Sequence, residues 1–326
     1  MIKNESVRQF QMMNELGREQ VPFLFIIDFE MKNPIVIPVK DLPGFPVLFD
    51  VNGYRNFSYH SDIVKAVNME KRPISYSQYK KSYDIVSKNL QYGNSFLVNL
   101  THKTEISINL DFPTLFFQSA AKYKLLYDNR FLVFSPETFI TIKKGEIASF
   151  PMKGTIEKDF PNAEETILND PKELAEHVTI VDLIRNDLSR VATGVKTKRF
   201  RFIDEIRTHQ KNLLQVSSEI TGRLDKNYAE KIGDILISLL PAGSVSGAPK
   251  TKTMDIIKQS EKGDRGFFTG IFGYFNGRDL DSGVMIRFME KAGGSCFFRS
   301  GGGITVNSDP KLEYQEMIDK VYVPLA

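Results

Sequence analysis

An acid and an amine stand in this sequence at positions where they could act together. Residues 143–146, Lys-Lys-Gly-Glu, read as a turn between the apolar runs 139–142 and 147–150, which predicts an antiparallel hairpin. Glu137 lies eight residues before Gly145 and Lys153 eight after it. Pairing centred on that glycine opposes the two on one face, with Cβ atoms about 5 Å apart. On a solvated sheet such a pair is a surface ion pair worth under about 1 kcal/mol. In a cleft it is a general acid beside a nucleophilic amine.

Two further carboxylates, Glu176 and Glu316, fall on predicted helices, each on a stripe with reason to face inward. Buried carboxylates are costly alone, and Mg²⁺ accepts one or two of them while leaving positions for water and an anionic substrate. The plainer alternative pairs Glu316 with Lys320 at i,i+4 and leaves Glu176 on a solvated edge. Arg287 follows the apolar Val284-Met285-Ile286, and its fork suits either a substrate carboxylate or a structural partner. Tyr274 ends another apolar strand. The stretch 241–250, which includes Ser244 and Gly247, and the run Gly301-Gly302-Gly303 could offer backbone N–H groups to an anion or be simple turns. The spacing of a P-loop is absent.

These residues need elements to hold them. Short apolar runs at 23–27, 35–37 and 47–49, punctuated by Asn-Pro, Pro-Gly and Asn-Gly, predict strands. Residues 77–90 predict a helix, 95–108 a strand, and 123–155 consecutive antiparallel strands. Asp170-Pro171-x-Glu173 opens a helix whose apolar residues Leu174, Val178, Val181, Ile184 and Leu188, with a second stripe through Ile180 and Leu183, predict burial on two sides. Asp309-Pro310 opens the last helix, placing Glu313, Glu316 and Lys320 on one face. Strands are expected at 271–274 and around 284–288. The basic run 196–201 carries Phe200 and reads as a solvated strand face rather than a single-strand nucleic-acid binder.

With 326 residues, 41% hydrophobic and 25% charged, the chain is an ordinary globular one, neither disordered nor fibrous. A net charge of +3 gives no reason to expect nucleic acid or membrane as partner. Cys296 is the sole cysteine, so no intrachain disulfide forms; a polar N-terminus and the shortness of the first apolar run predict no signal peptide and no anchor. A cytoplasmic location is expected.

Together, Ser135-Pro136-Glu137, Pro151-Met152-Lys153-Gly154-Thr155, Ala175-Glu176-His177, the run 180–187, the stretch 241–250, Gly273-Tyr274, Ile286-Arg287, Gly301–Gly303 and Glu313-Tyr-Gln-Glu316 resemble the chorismate-binding enzymes. The motifs keep the family's order from about residue 77 to the end. Lys153 is similar to the lysine that the aminodeoxychorismate synthase branch carries at this place, where the anthranilate enzymes and most other relatives carry alanine. The resemblance implies an α+β fold of large antiparallel sheets with flanking helices around a central cleft. A short β-rich portion, 1–76, would pack on a catalytic domain, 77–326. It implies Mg²⁺ held by Glu176 and Glu316, and chorismate bound by Ser244, Gly247, Tyr274, Arg287, Gly302, Gly303 and Lys320. Lys153 would be the nucleophile and Glu137 the general acid. Ammonia would come from a glutamine amidotransferase subunit, and 4-amino-4-deoxychorismate would feed para-aminobenzoate and folate biosynthesis. Anthranilate synthase, isochorismate synthase and a non-catalytic chorismate-binding relative are the alternatives. Leu97 and Gln215 depart from the family pattern, standing where a glutamine and a histidine are usual.

Overall fold

The computed structural model describes residues 4–58, 65–207, 212–261 and 263–325, so positions 1–3 and 59–64 of the expected N-terminal portion lie outside the described residues. Two nine-stranded antiparallel sheets form the centre. The first runs in the order Met152–Glu157, Asn212–Arg223, Glu146–Ser149, Thr138–Lys143, Leu280–Val284, Ile271–Phe275, Phe23–Ile27 and Ile35–Pro38, with Thr193–Arg207 also paired to Asn212–Arg223. The second runs Gly247–Ala248, Leu97–Ile108, Ser295–Ile304, Phe288–Ala292, Phe131–Ser135, Tyr123–Tyr127, Val47–Val51 and Tyr54–Arg55, with Met69–Arg72 added to Leu97–Ile108.

Side-chain alternation explains the stacking. Phe23, Phe25 and Ile27 pack beneath helices with Ile180, Ile184 and Leu236, whereas Leu24 and Ile26 meet Phe49, Leu125 and Val133 of the other sheet. In Phe131–Ser135, Phe131 and Val133 enter the inter-sheet core while Leu132 and Phe134 face outward, under helix Phe112–Gln118. The layers are therefore helix, sheet, sheet, helix. An antiparallel sheet commonly leaves one face to water; here both are covered, which is why these strands read as unbroken apolar runs. The fold is α+β, as expected. The strands at 23–27, 35–38 and 47–51 sit within the two sheets alongside strands from the rest of the chain.

Three expectations need correction. The polar N-terminus forms helix Asn4–Arg18, whose buried positions are Ser6, Phe10, Met13 and Gly17. A Cβ on Gly17 would lie 1.9 Å from the Ala229 carbonyl oxygen, and one on Gly233 2.0 Å from that of Phe10. The helix thus packs closely on Tyr228–Lys231 and Ile232–Leu239, backbone to backbone at Gly17 and Gly233, while Phe10 and Met13 enter the core with Met12 and Leu16 beside them. Helix Pro171–Leu188 starts as expected, with the Glu173 N–H donating to Asp170 at 3.0 Å. Its buried face is one broad stripe of His177, Ile180, Val181, Ile184, Asp187 and Leu188, while Leu174 and Val178 are exposed. Finally, the hairpin at Gly145 pairs Glu146 with Lys143 and ends at Ala148 with Thr141. Pro151 lacks an N–H to continue a ladder. The strand beyond it, Met152–Glu157, pairs instead with Asn212–Arg223, so Glu137 and Lys153 are not cross-strand partners.

Candidate active site

The chain crosses from one sheet to the other at two neighbouring points. Pro136 and Glu137 connect Phe131–Ser135 of the second sheet to Thr138–Lys143 of the first; residues 285–287 connect Leu280–Val284 of the first to Phe288–Ala292 of the second. The crossings are bonded together: the Val284 N–H donates to the Glu137 carbonyl at 3.0 Å, and the Phe134 N–H to the Arg287 carbonyl at 3.2 Å. Glu137 and Arg287 are thereby brought to one place from positions 150 residues apart. Arg287 adopts a left-handed φ of 51°, which breaks the strand alternation. Its guanidinium lies 5.0 Å from the Tyr322 ring centroid, and its buried Nε has no hydrogen-bond partner among the described residues.

Lys153 reaches the same place by a bulge. The register of Met152–Glu157 shifts between Met152 and Thr155, and Gly154 has φ 78°; such an irregularity re-aims a side chain out of the pleat. The Lys153 Nζ donates to Glu176 at 3.2 Å, with the two side chains 23% and 13% exposed. It also lies 3.3 Å from where a Gly303 Cβ would stand. A side chain there would push on the amine and on Leu97. A Cβ on Gly302 would meet Glu313 and Glu316 at 3.3 and 3.4 Å. From the end of helix Pro310–Asp319, Lys320 Nζ bonds Glu316 at 2.6 Å and the Gly301 carbonyl at 2.9 Å.

Glu137 is wrapped by Phe139, Pro151, Ile184, Ala242 and Gly243. Burial pushes its carboxyl above the usual range, partly offset by the Ser244 hydroxyl, which donates a hydrogen bond to it, and by the charges of Lys153, Arg287 and Lys320. Those three cations act on Glu137 together, so the acid, the amine and the anion-binding groups form one cluster. Lys320 is itself lowered by burial, against the pull of Glu316. Behind Glu176, His177 is fully buried, with Nε2 2.7 Å from Ser218 Oγ. Burial, together with Arg201 and Lys153, lowers it to about 4, so it is neutral near pH 7.

Of the residues singled out from sequence, Glu137, Lys153, Glu176, Ser244, Arg287, Gly302, Gly303, Glu316 and Lys320 are brought together. Tyr274 is not. The alternation of Ile271–Phe275 turns it toward Phe49 and Tyr54, against which it stacks at 6.1 and 4.9 Å, lining a separate cavity of about 450 Å³ with Leu42 and Asn56. Gly247 packs the loop against Leu97, whose carbonyl oxygen would be 1.9 Å from its Cβ; it faces that strand rather than the charged cluster. Leu97 itself borders Gly303, its Cδ1 2.9 Å from the position of a Cβ there. Gln215 is half-buried beside Thr155 on the adjoining strand. Glu173 and Glu313 also approach, Glu173 lying 3.1 Å from where a Gly154 Cβ would stand. A signal for both was present in the repeated Glu-x-x-Glu spacing, 173 with 176 and 313 with 316, which puts each pair on one helix face.

The oxygen donors Glu176 and Glu316 have the hard chemistry that Mg²⁺ prefers. Each now holds a lysine, and among the described residues no three ligating side chains converge on a point. What fits a divalent cation here is the oxygen chemistry of the two carboxylates, since such a cation can share its shell with water or substrate.

The profile described as chorismate binding enzyme matches residues 54–326. The chain belongs to this family. It is 47% identical over 312 residues to an uncharacterized PabA-like protein of Haemophilus influenzae, covering 96% of this chain and 95% of that one. It is 33% identical over 261 residues to aminodeoxychorismate synthase component 1 of Salmonella typhimurium, covering 75% of this chain and 56% of that protein. Its fold resembles MenF, the menaquinone-specific isochorismate synthase of Escherichia coli, with TM-score 0.74, 16% identity, and coverage of 97% and 80%. No helix among the described residues is long and apolar enough to cross a membrane.

Proposed function

We propose that this member of the family aminates chorismate, as an aminodeoxychorismate synthase component 1. The observation that carries the reading is the Lys153 amine, aimed by its bulge to within 3.2 Å of Glu176 and against Gly303, in the same cluster as the buried carboxyl of Glu137. Chorismate is a dicarboxylate, and Arg287, Lys320 and the glycine backbones supply the groups to hold an anion. Lys153, as the free amine, forms a C–N bond at ring C2 while both ring double bonds shift by one position and the C4–O bond breaks. Glu137 gives its proton to the departing oxygen, which leaves as water. Ammonia then bonds to C4, both double bonds shift back, and Lys153 departs with its electron pair. Neutral His177 adds no charge of its own behind this exchange.

Glu176 and Glu316 would hold Mg²⁺, which when bound neutralises a substrate carboxylate. Ammonia would come from a glutamine amidotransferase subunit, and the product would enter para-aminobenzoate and folate synthesis in the cytoplasm. The test is to incubate the chain with chorismate, Mg²⁺ and ammonium salt and identify products by mass. Aminodeoxychorismate is expected, with Lys153→Ala reducing its formation at least about 100-fold. Anthranilate or isochorismate as the first product would favour the sister activities, and wild-type output from Lys153→Ala would remove the covalent role.

A further inference from the structure

Behind the cluster lies a charged residue that touches none of the reacting groups. Arg265 is 2% exposed, on the connection after helix Lys250–Glu261. Its Nε and one terminal nitrogen bond the Glu261 carboxylate at 2.8 and 2.5 Å, and its guanidinium lies 4.6 Å from the Phe29 ring centroid. The two terminal nitrogens then diverge. One donates to the Val245 carbonyl at 2.7 Å and to Thr269 Oγ1 at 3.2 Å; the other donates to the Asn99 carbonyl at 2.7 Å. Glu261 is held in turn by the Thr101 N–H and hydroxyl at 2.8 and 2.9 Å.

The two carbonyls belong to opposite walls of the site. Val245 follows Ser244, whose hydroxyl bonds Glu137. Asn99 is the cross-strand partner of Gly303, which lies against the Lys153 amine. A planar guanidinium with its donors in a rigid fork sets the separation of two backbones in a way a lysine cannot. We infer that Arg265 is a positioning residue: by clamping Val245 and Asn99 it sets Ser244 on Glu137 and fixes the acid relative to the floor beside Lys153. This rests on the proposed reading only in giving Glu137 the role of acid.

The test needs no turnover. The Glu137 carboxyl carbon is followed by NMR in protein labelled with ¹³C-glutamate, assigned by its loss in Glu137→Gln, and titrated with pH. Ser244, Lys153, Arg287 and Lys320 all favour the ionised form of Glu137. Ser244→Ala removes one of these supports and is expected to raise the midpoint by about one pH unit. Arg265→Lys, which loosens the Ser244 loop, is expected to raise it by about half a unit or more, and the double variant no further than Ser244→Ala alone. A general loss of packing would lower the melting temperature without this selective, non-additive shift. A wild-type midpoint in Arg265→Lys, or shifts that add in the double variant, would overturn the inference. If Arg265→Lys does not fold, Glu261→Gln, which keeps the guanidinium but weakens its anchor, is expected to shift the midpoint in the same direction, and no shift there overturns it equally. Absence of chorismate consumption by the wild-type chain would instead count against the proposed reaction and leave this titration to be read on its own terms.

Discussion

At the residue scale, the chemistry turns on how burial treats single protons. Glu137 is raised by desolvation, so it stays protonated to a higher pH than an exposed carboxyl and is available as an acid there. The rate should accordingly fall as pH rises through its folded-state value. Glu137→Gln is expected to lower kcat by about 10²-fold or more and to abolish that alkaline limb, measured as a pH–rate profile. His177 works in the opposite sense, because its imidazole is held to about 4 in the fold. Between that value and its ordinary one near 6.5, the unfolded chain binds a proton that the folded chain does not. Stability due to this group is therefore fully present above pH 6.5 and is lost as pH falls toward 4, by about 3 kcal/mol at most. Denaturant unfolding at several pH values checks this: His177→Gln should flatten the dependence across the window, whatever it does to stability at pH 7.

At the element scale, the motifs were legible where local backbone chemistry decides. Asp170 accepts from the Glu173 N–H at 3.0 Å at the start of helix Pro171–Leu188, and Asp309 accepts from the Lys311 and Leu312 N–H groups at the start of the last helix. In helix Asn4–Arg18 the period was present but diluted by polar residues, with Phe10, Met13 and Leu16 three apart along one side. The helix docks through Phe10, Met13 and Gly17, Gly233 returns the contact from the facing helix, and Ser6 donates to the Lys32 carbonyl at 2.8 Å. Gly17→Ala would force a Cβ against the Ala229 carbonyl, so it should cost about 2 kcal/mol or more in a thermal or denaturant melt, despite alanine's better helix propensity. Gly303→Ala tests a different consequence of close approach: the new methyl would crowd Lys153 Nζ and Leu97. It should depress chorismate turnover at least about 10-fold while shifting the melting temperature far less than Gly17→Ala does.

At the scale of the whole molecule, the two sheets share strands from both ends of the chain. Phe23–Ile27 pairs with Ile271–Phe275, and Val47–Val51 with Tyr123–Tyr127. A fragment beginning at residue 77 would leave Phe272, Leu125 and Val133 without their partners in the inter-sheet core. Such a fragment is expected to be insoluble or molten, and the intact chain to melt in one transition. A soluble, cooperatively folding fragment 77–326 would instead mark the first 76 residues as an appended unit.

Part of the site could be read from the chain alone: the family resemblance rests on the Glu137 and Lys153 motifs and the glycine run, while residue type and spacing located the turn at Gly145 and the helices that carry Glu176 and Glu316. Those features depend on torsion preferences and on 3.6- and 2-residue periods, which act over a few neighbours. How the parts meet was decided by tertiary structure. Pro151 ends the hairpin and a bulge at Lys153–Gly154 turns the amine toward Glu176, so acid and amine meet through a change of strand partner rather than across a ladder. Tyr274 faces away because its strand is sandwiched and alternation assigns it to Tyr54 and Phe49. Arg287 and Glu137 converge because two sheet crossings are bonded to each other. Such approaches depend on which backbones exclude water together over long sequence separations, and no local period encodes that.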